Sequence, residues 1–331
     1  MCFLPLVSMA QSTLTQEGNA PFLDTEFMVH RNAALSDPGP AGNGQAWDHS
    51  ALTGVSQFTV HVEDPMGVAG THLIWGDTDS LYYEVNADGM FLLKEEVMMT
   101  APGVGTTAVS ADYQGDGVQM MAWPASYGTS WSGTAFGSYI LEGETITRSG
   151  TVVGVVDGEG SLELPYGSFD VLRVYSLVAT NESGVISGFD VIGERKLHTW
   201  SYYAEWLKHP LLKITADTLN ITSPFPTTSQ TAKTEWLDEV NVGVIEAQEN
   251  NATFGVWPTP AVGTLNVTMQ EKVGMVRAML LDHGGRLVRE WSVSASGNST
   301  VDVQGIPAGQ YIIQVIGGEG VIGARKVIIG K

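Results

Sequence analysis

Cysteine and long apolar runs are nearly absent from this 331-residue sequence. The single cysteine, Cys2, lies in a segment that we expect to be a cleaved leader. The mature chain is therefore expected to contain no disulfide and no cysteine-based metal site. No segment approaches the roughly 18 consecutive apolar residues that a membrane-spanning helix needs, so no transmembrane helix is predicted.

Basic residues are also few. The sequence has 16 Lys and Arg against 36 Asp and Glu, which gives a formal net charge of −20 at pH 7. A protein with this charge repels the phosphates of nucleic acids and anionic lipid headgroups. The composition therefore excludes nucleic acid as a partner.

The common catalytic patterns are missing as well. The sequence has no G-x-S-x-G, H-E-x-x-H or P-loop pattern, and no G-x-G-x-x-G that opens a helix. His61 and Glu63 would share one strand face, and Asp77-Thr78-Asp79 is similar to half of a calcium loop, but neither is a complete ligand set. A solvated strand face and an Asp-rich turn are favoured instead. No catalytic residue, metal or cofactor is predicted.

Short alternating runs between glycine-containing turns dominate the rest of the sequence. One pair of runs, 80–85 and 90–94, flanks Asn86-Ala87-Asp88-Gly89, which is a good hairpin turn. Only 201–208 and 234–250 offer weak helical patterns, and the second is equally consistent with a linker. The pattern predicts an all-β chain, with an antiparallel β-sandwich or partly open barrel followed by a small immunoglobulin-like β-sandwich.

Composition changes divide the chain into four segments. Residues 1–10 are apolar with a small-x-small ending, typical of the back half of a signal peptide. Residues 11–222 are predicted to be a β-rich extracytoplasmic domain, and the Pro-, Ser- and Thr-rich start of 223–253 predicts a linker. Residues 254–331 carry seven Lys and Arg against five Asp and Glu, so the acidity belongs to the first part of the chain.

The C-terminal segment contains a series of turn motifs. Pro258 and Pro260 hold the entry segment extended, and the segment from Asp282 to Gly285 makes a tight connection between two strand-like runs. A second reversal, Pro307-Ala308-Gly309, precedes a strand with Tyr311 on one face, and the last strand contains Lys326. By themselves these residues predict a small β-sandwich.

In order and spacing, these motifs resemble the type A C-terminal sorting domain of proteins exported by the type IX secretion system of Bacteroidetes. Thr259 and Trp257 stand where that family usually has Asn and Tyr. The resemblance implies that Pro258, Pro260, Asp282, Gly285, Gly309, Tyr311 and Lys326 belong to a sorting motif. It further implies that the type IX machinery binds this tail and cleaves it on export, and that the protein reaches the outer cell surface or the medium through the periplasm.

Scattered segments of the first domain resemble uncharacterised secreted flavobacterial proteins. They are 44–52, 158–174 and 200–214. The resemblance implies a β-rich extracytoplasmic domain and supplies no activity.

One aromatic stretch of the first domain, 123–131, contains Trp123, Tyr127 and Trp131 among small residues. These rings could form a stacking platform for a sugar or pack in the core, and core packing is favoured. Two functions remain open. The favoured one is a non-catalytic binding or surface module for a polysaccharide or another surface component. The alternative is a secreted hydrolase that acts on polysaccharide or peptide.

Overall fold

The computed structural model of the protein describes residues 12–101, 105–205, 207–238, 254–258, 261–282, 286–317 and 320–330. The chain divides into two compact units, Met1–Asp238 and Glu239–Lys331. The expected leader, residues 1–10, lies outside the described residues.

The first unit is built from strands and one short helix. Its elements are α1 (Gln16–Asn19), β1 (Thr25–Asn32), β2 (Gly42–Asp48), β3 (Ser56–Glu63), β4 (His72–Gly76), β5 (Asp79–Asn86), β6 (Gly89–Ala101), β7 (Gly105–Tyr113), β8 (Val118–Ala122), β9 (Ser130–Leu141), β10 (Glu144–Leu164), β11 (Gly167–Ile186), β12 (Phe189–Tyr203), β13 (Leu212–Ser223) and β14 (Thr227–Leu237).

Twelve of these strands form a closed, barrel-like antiparallel sheet. Its order is β11-β12-β13-β14-β1-β3-β4-β5-β6-β7-β9-β10, and the pairing of β10 with β11 closes the ring. Strand β2 lies parallel to β10 and β8 pairs with β6, both off the ring. The expected all-β fold is confirmed, and its first unit is a closed ring.

Strand alternation separates the inside of the ring from its outer face. In β9 the residues at odd positions from Ala135 to Leu141 are buried, and the intervening residues are exposed or half-exposed. The expected hairpin is present, since Asn86 and Gly89 are register partners at the ends of β5 and β6. Alternation of this kind is what a strand with one buried face produces.

Apolar side chains of the first unit form clusters, two of which are made up entirely of described residues. The larger one is formed by side chains from β5, β6 and β8–β11, and its most buried members include Val152, Val156 and Leu172. The smaller one includes Met99, Tyr139 and Ile146.

The second unit is a smaller antiparallel sheet around its own core. Its described strands are β15 (Phe254–Trp257), β16 (Thr264–Leu281), β17 (Leu287–Asp302), β18 (Gly309–Gly317) and β19 (Gly320–Ile329). Strand β16 pairs with β17 along most of its length, and its other edge pairs with β15 in the first half and with β18 in the second. Leu265, Val267, Ile313, Val315 and Val327 are fully buried between them.

Three sequence-based expectations are wrong. The linker does not begin at residue 223, because β14 pairs with β13 and β1, and its Trp236 is only 3% exposed. The first unit therefore continues to Asp238, and residues 239–253 lie outside the described part. The helical turn expected at 201–208 is the end of β12 followed by a turn, and residues 234–237 are strand.

The sequence did not predict the short helix α1. Its N-cap Thr15 accepts a hydrogen bond from the amide of Gly18 at 3.0 Å, which satisfies one of the free N–H groups of the first turn. Among the described residues, no helix is long and apolar enough to cross a membrane.

Candidate functional site

The expected sorting-motif residues lie at strand ends and turns of the second unit. Pro258 directly follows β15, and Gly309 is the first residue of β18. The carboxylate of Asp282 accepts hydrogen bonds from the amide of Arg286 at 3.0 Å and from its Nε at 3.1 Å, so it closes the connection between β16 and β17. Pro260 and Gly285 lie outside the described residues, and Lys326 is the register partner of Ile312 in β19.

Tyr311 fixes the turn before β18. Its ring is buried in the core of the second unit, at 7% exposure, and its hydroxyl donates to the carbonyl oxygen of Pro307 at 2.8 Å. One side chain therefore ties the turn to the core. Of the expected motif residues that the structure describes, Asp282 and Tyr311 are the two whose side chains bond across a connection between strands.

In the first unit, the aromatic stretch contributes to the interior. Trp123 is 8% exposed and belongs to the larger apolar cluster, and Tyr127 and Trp131 pack against that cluster while half-buried. The Trp131 indole donates to the carbonyl oxygen of Gln119 at 3.0 Å. The structure does not place the three rings on one exposed platform.

Trp131 also borders a shallow groove of about 390 Å³ on the outer face of the ring. The other side chains of this groove come from three adjacent strands, namely Ser130, Ser132, Val153, Val155 and Tyr175. The groove extends into a row of rings on β11 and β12. Tyr175 lies 5.4 Å from Trp200, and its hydroxyl lies 2.9 Å from Nδ1 of His198, whose ring stacks on Trp200 at 5.8 Å.

A network of charged side chains lies inside the ring. Arg148 is 1% exposed and contacts Glu95 at 2.7 Å and Glu182 at 2.9 Å. Arg195 pairs with Asp217 at 2.8 Å and with Glu95 at 3.4 Å. Each buried charge thus has an opposite charge beside it, as burial in a low dielectric requires.

The network sets the ionisation of its members. Burial alone would raise the pKa of Glu95, but Arg148 and Arg195, together with the hydroxyl of Tyr113, lower the pKa to about 2. The enclosed cavity beside it measures about 20 Å³, which is room for about one water molecule. Glu95 is therefore ionised at neutral pH, and the cavity beside it leaves no space for a substrate.

The two aspartates of the candidate calcium turn are paired too. Asp77 and Asp79 contact Arg31 and the Lys233 ammonium, and the His61 ring stacks on Trp75 with centroids 4.1 Å apart. Within the described ranges, no group of three or more His, Cys, Asp or Glu residues is placed to hold a metal ion.

Sequence reasoning missed both the buried network and the aromatic row. Glu95 and Arg148 are 53 residues apart, and only the closed ring brings them together. A signal was present in β10, where Arg148 falls in the inward series of Ile146 and Val152.

Comparison with known families identifies the tail. Residues 255–330 match the family model of the secretion system C-terminal sorting domain, which is the tail of type IX secretion substrates. No curated protein and no solved structure matches the chain. The resemblance of the first unit to flavobacterial proteins therefore stays a prediction.

Proposed function

We propose that the first unit performs the function of this protein after export. The type IX sorting domain at residues 255–330 directs the protein to the cell surface or the medium. The first unit is a non-catalytic binding or surface module. It crosses the periplasm with the tail attached, and the tail is removed within residues 239–253 after translocation.

The non-catalytic assignment rests on the positions of the charged side chains. The interior carboxylates Glu95, Glu182 and Asp217 are held by two arginines around a cavity of about 20 Å³. The outer groove has room for a ligand, and its described lining contains hydroxyls, aliphatic groups and aromatic rings without a carboxylate. The one imidazole beside this described lining, that of His198, lies within hydrogen-bond distance of the phenol of Tyr175 and stacks on Trp200. A hydrolase needs an acid, a base or a nucleophile with an activating partner at the substrate.

The experiment is an activity assay together with a mass measurement. Purified full-length protein is incubated with polysaccharides and unfolded peptides, and new reducing ends and free amines are counted. No release above a buffer control is expected. Release of either product above that control would show a hydrolase and overturn the non-catalytic assignment. Mass spectrometry of the surface form tests the cleavage, and an intact C-terminus at the surface would contradict it.

A further inference from the structure

One stretch of three adjacent strands has an uncharged outer face. In β9, in residues 145–155 of β10 and in residues 175–185 of β11, every second residue points away from the interior, and these residues are exposed or half-exposed. Beyond the bulge that follows Val156, β10 carries the charged residues Asp157, Glu159 and Glu163. The eighteen outward residues are Ser130, Ser132, Thr134, Phe136, Ser138, Ile140, Thr145, Thr147, Ser149, Thr151, Val153, Val155, Tyr175, Leu177, Ala179, Asn181, Ser183 and Val185. We call this surface the neutral face.

The neutral face stands out because the rest of the first part of the chain is acidic. Residues 1–253 contain nine Lys and Arg against 31 Asp and Glu, a net charge of −22. On the neighbouring strand β12, the outward charges Lys196 and Glu194 form an ion pair at 2.9 Å. The eighteen residues of the neutral face therefore include neither the cations that an anionic ligand needs nor the carboxylates that a cationic one needs. Next to them along β10 and β11, Asp157 and Arg173 neutralise each other in an ion pair at 2.7 Å.

Half of the neutral face consists of hydroxyl side chains. Thr134 and Thr151 are direct register partners, as are Ser132 and Val153, so pairs of hydroxyls lie beside pairs of a hydroxyl and an apolar group. Within the described part of the chain, none of the nine Ser and Thr side chains of this face has a hydrogen-bond partner. Their donors and acceptors are free for a ligand.

The apolar part of the neutral face is exposed as well. Ile140, Phe136 and Val153 are 56%, 47% and 44% exposed. The groove of about 390 Å³ lies on this face, and Tyr175 leads from the groove to the Trp200 ring on β12. Sugar rings present both an apolar face and a rim of hydroxyls, and they pack on aromatic rings while bonding to polar groups.

We propose that the neutral face and its aromatic row bind an uncharged polysaccharide chain. This inference rests on the proposed binding role of the first unit and names its ligand class. The groove seats one sugar between Tyr175 and Val153, and the free Ser and Thr hydroxyls bond to the sugars that follow along β9–β11.

The test is affinity electrophoresis of the full-length chain in gels that contain a neutral glucan, mannan or galactan, with alginate as the anionic comparison. Thr151→Lys places a charge in the middle of the neutral face, and Tyr175→Ala removes the ring at the groove. The matched control is Gln57→Lys, on the outer face of β3, six strands away from β10 in either direction round the ring.

We expect at least one neutral polymer to retard the wild type, whereas alginate does not. Thr151→Lys and Tyr175→Ala should each weaken retention about tenfold or more, and Gln57→Lys should leave it unchanged. Thermal unfolding shows that the variants are folded. The proposal is overturned if no neutral polymer retards the protein or if Thr151→Lys binds like the wild type. A dimer that Thr151→Lys dissociates would assign the neutral face to a second copy of the chain and overturn it too.

The two proposals fail in different ways. Retention together with hydrolysis of the polymer would contradict the non-catalytic role and leave the binding face in place. If the protein shows neither retention by a polymer nor hydrolysis of it, the neutral face is not a polysaccharide site. That result would leave the non-catalytic assignment standing.

Discussion

Trp131 lies directly over Gly154, its register partner in β10. A Cβ atom on Gly154 would come within 2.2 Å of Cε2 of the Trp131 indole, closer than real Cβ contacts allow. The absence of a side chain at Gly154 therefore leaves room for the indole, which borders the groove and donates to the carbonyl oxygen of Gln119.

The first prediction concerns this contact. Gly154→Ala should displace the indole and lower the free energy of unfolding by about 1–3 kcal/mol, as overpacking does. Urea denaturation measures the loss. Gly133→Ala is the matched control in β9, because its Cβ would meet only Val152 Cγ1 at an ordinary 3.5 Å. Equal losses of unfolding free energy in the two variants would show that the contact with the Trp131 indole does not constrain residue 154.

The second prediction concerns Trp123. Because its ring is buried in the larger apolar cluster, Trp123→Ala should lower the free energy of unfolding by about 3–5 kcal/mol. Trp123→Phe should cost much less, since the indole Nε1 has no hydrogen-bond partner among the described residues. A Trp123→Ala variant that keeps its stability and loses polysaccharide retention would place Trp123 at a ligand site.

The third prediction concerns the buried network. Arg148→Met would leave Glu95 and Glu182 buried without their main partner, and breaking a buried pair in this way costs about 3–5 kcal/mol. Lys196→Met is the control on the same unit, because Lys196 and Glu194 are each 48% exposed and such pairs contribute about 0–1 kcal/mol. Similar losses measured by urea denaturation would contradict the structural role of the network.

The fourth prediction is the pH dependence that follows from Glu95. Its pKa in the folded protein is about 2, below the ordinary carboxyl value, so the folded state holds the proton less tightly than the unfolded state. The stabilisation is fully present above the ordinary carboxyl pKa and is lost as the pH falls toward 2. Urea denaturation at several pH values in this window should show the loss, and Glu95→Gln should reduce its slope. An unchanged slope in Glu95→Gln would assign the acid sensitivity to other carboxylates.

Sequence patterns predicted the turns and motifs that depend on neighbouring residues. They did not predict the features that depend on pairing between distant strands. The turn from Asn86 to Gly89 is specified by its own residues, and the tail motifs are specified by spacing. Closure of the ring depends on the pairing of β10 with β11 and of β14 with β1, and no short window contains it. Strand β14 looked like a linker because residues 223–233 are rich in Pro, Ser and Thr and the residues after them are acidic. Its place in the ring depends on pairing with β13 and β1, and its buried Trp236 pairs with residues far away in the sequence.

The candidate site was only partly predictable for the same reason, because it combines residues from several strands. The aromatic stretch was visible as a cluster in sequence, but Trp123 belongs to the interior. The neutral face is invisible in any one segment, because each strand contributes only every second residue and the face exists only where three strands lie side by side.

The last prediction concerns the tail. The two units have separate cores, and the first unit ends at Asp238, directly after β14. A chain truncated after Thr253 keeps every described strand of the first unit, so it should remain folded, with the same thermal unfolding midpoint for that unit. The truncated protein lacks the sorting domain at residues 255–330, so it should fail to reach the surface and accumulate in the periplasm.

Cell fractionation with surface protease treatment decides this prediction. The matched control is a full-length chain with Arg286→Lys, which keeps a cation beside Asp282 in the tail and should be exported like the wild type. Truncated protein that reaches the surface at the wild-type level would show that the tail is dispensable for export of this chain. Truncated protein that is degraded in the cell would show that the first unit depends on residues beyond Thr253, which contradicts the predicted independence of the two units.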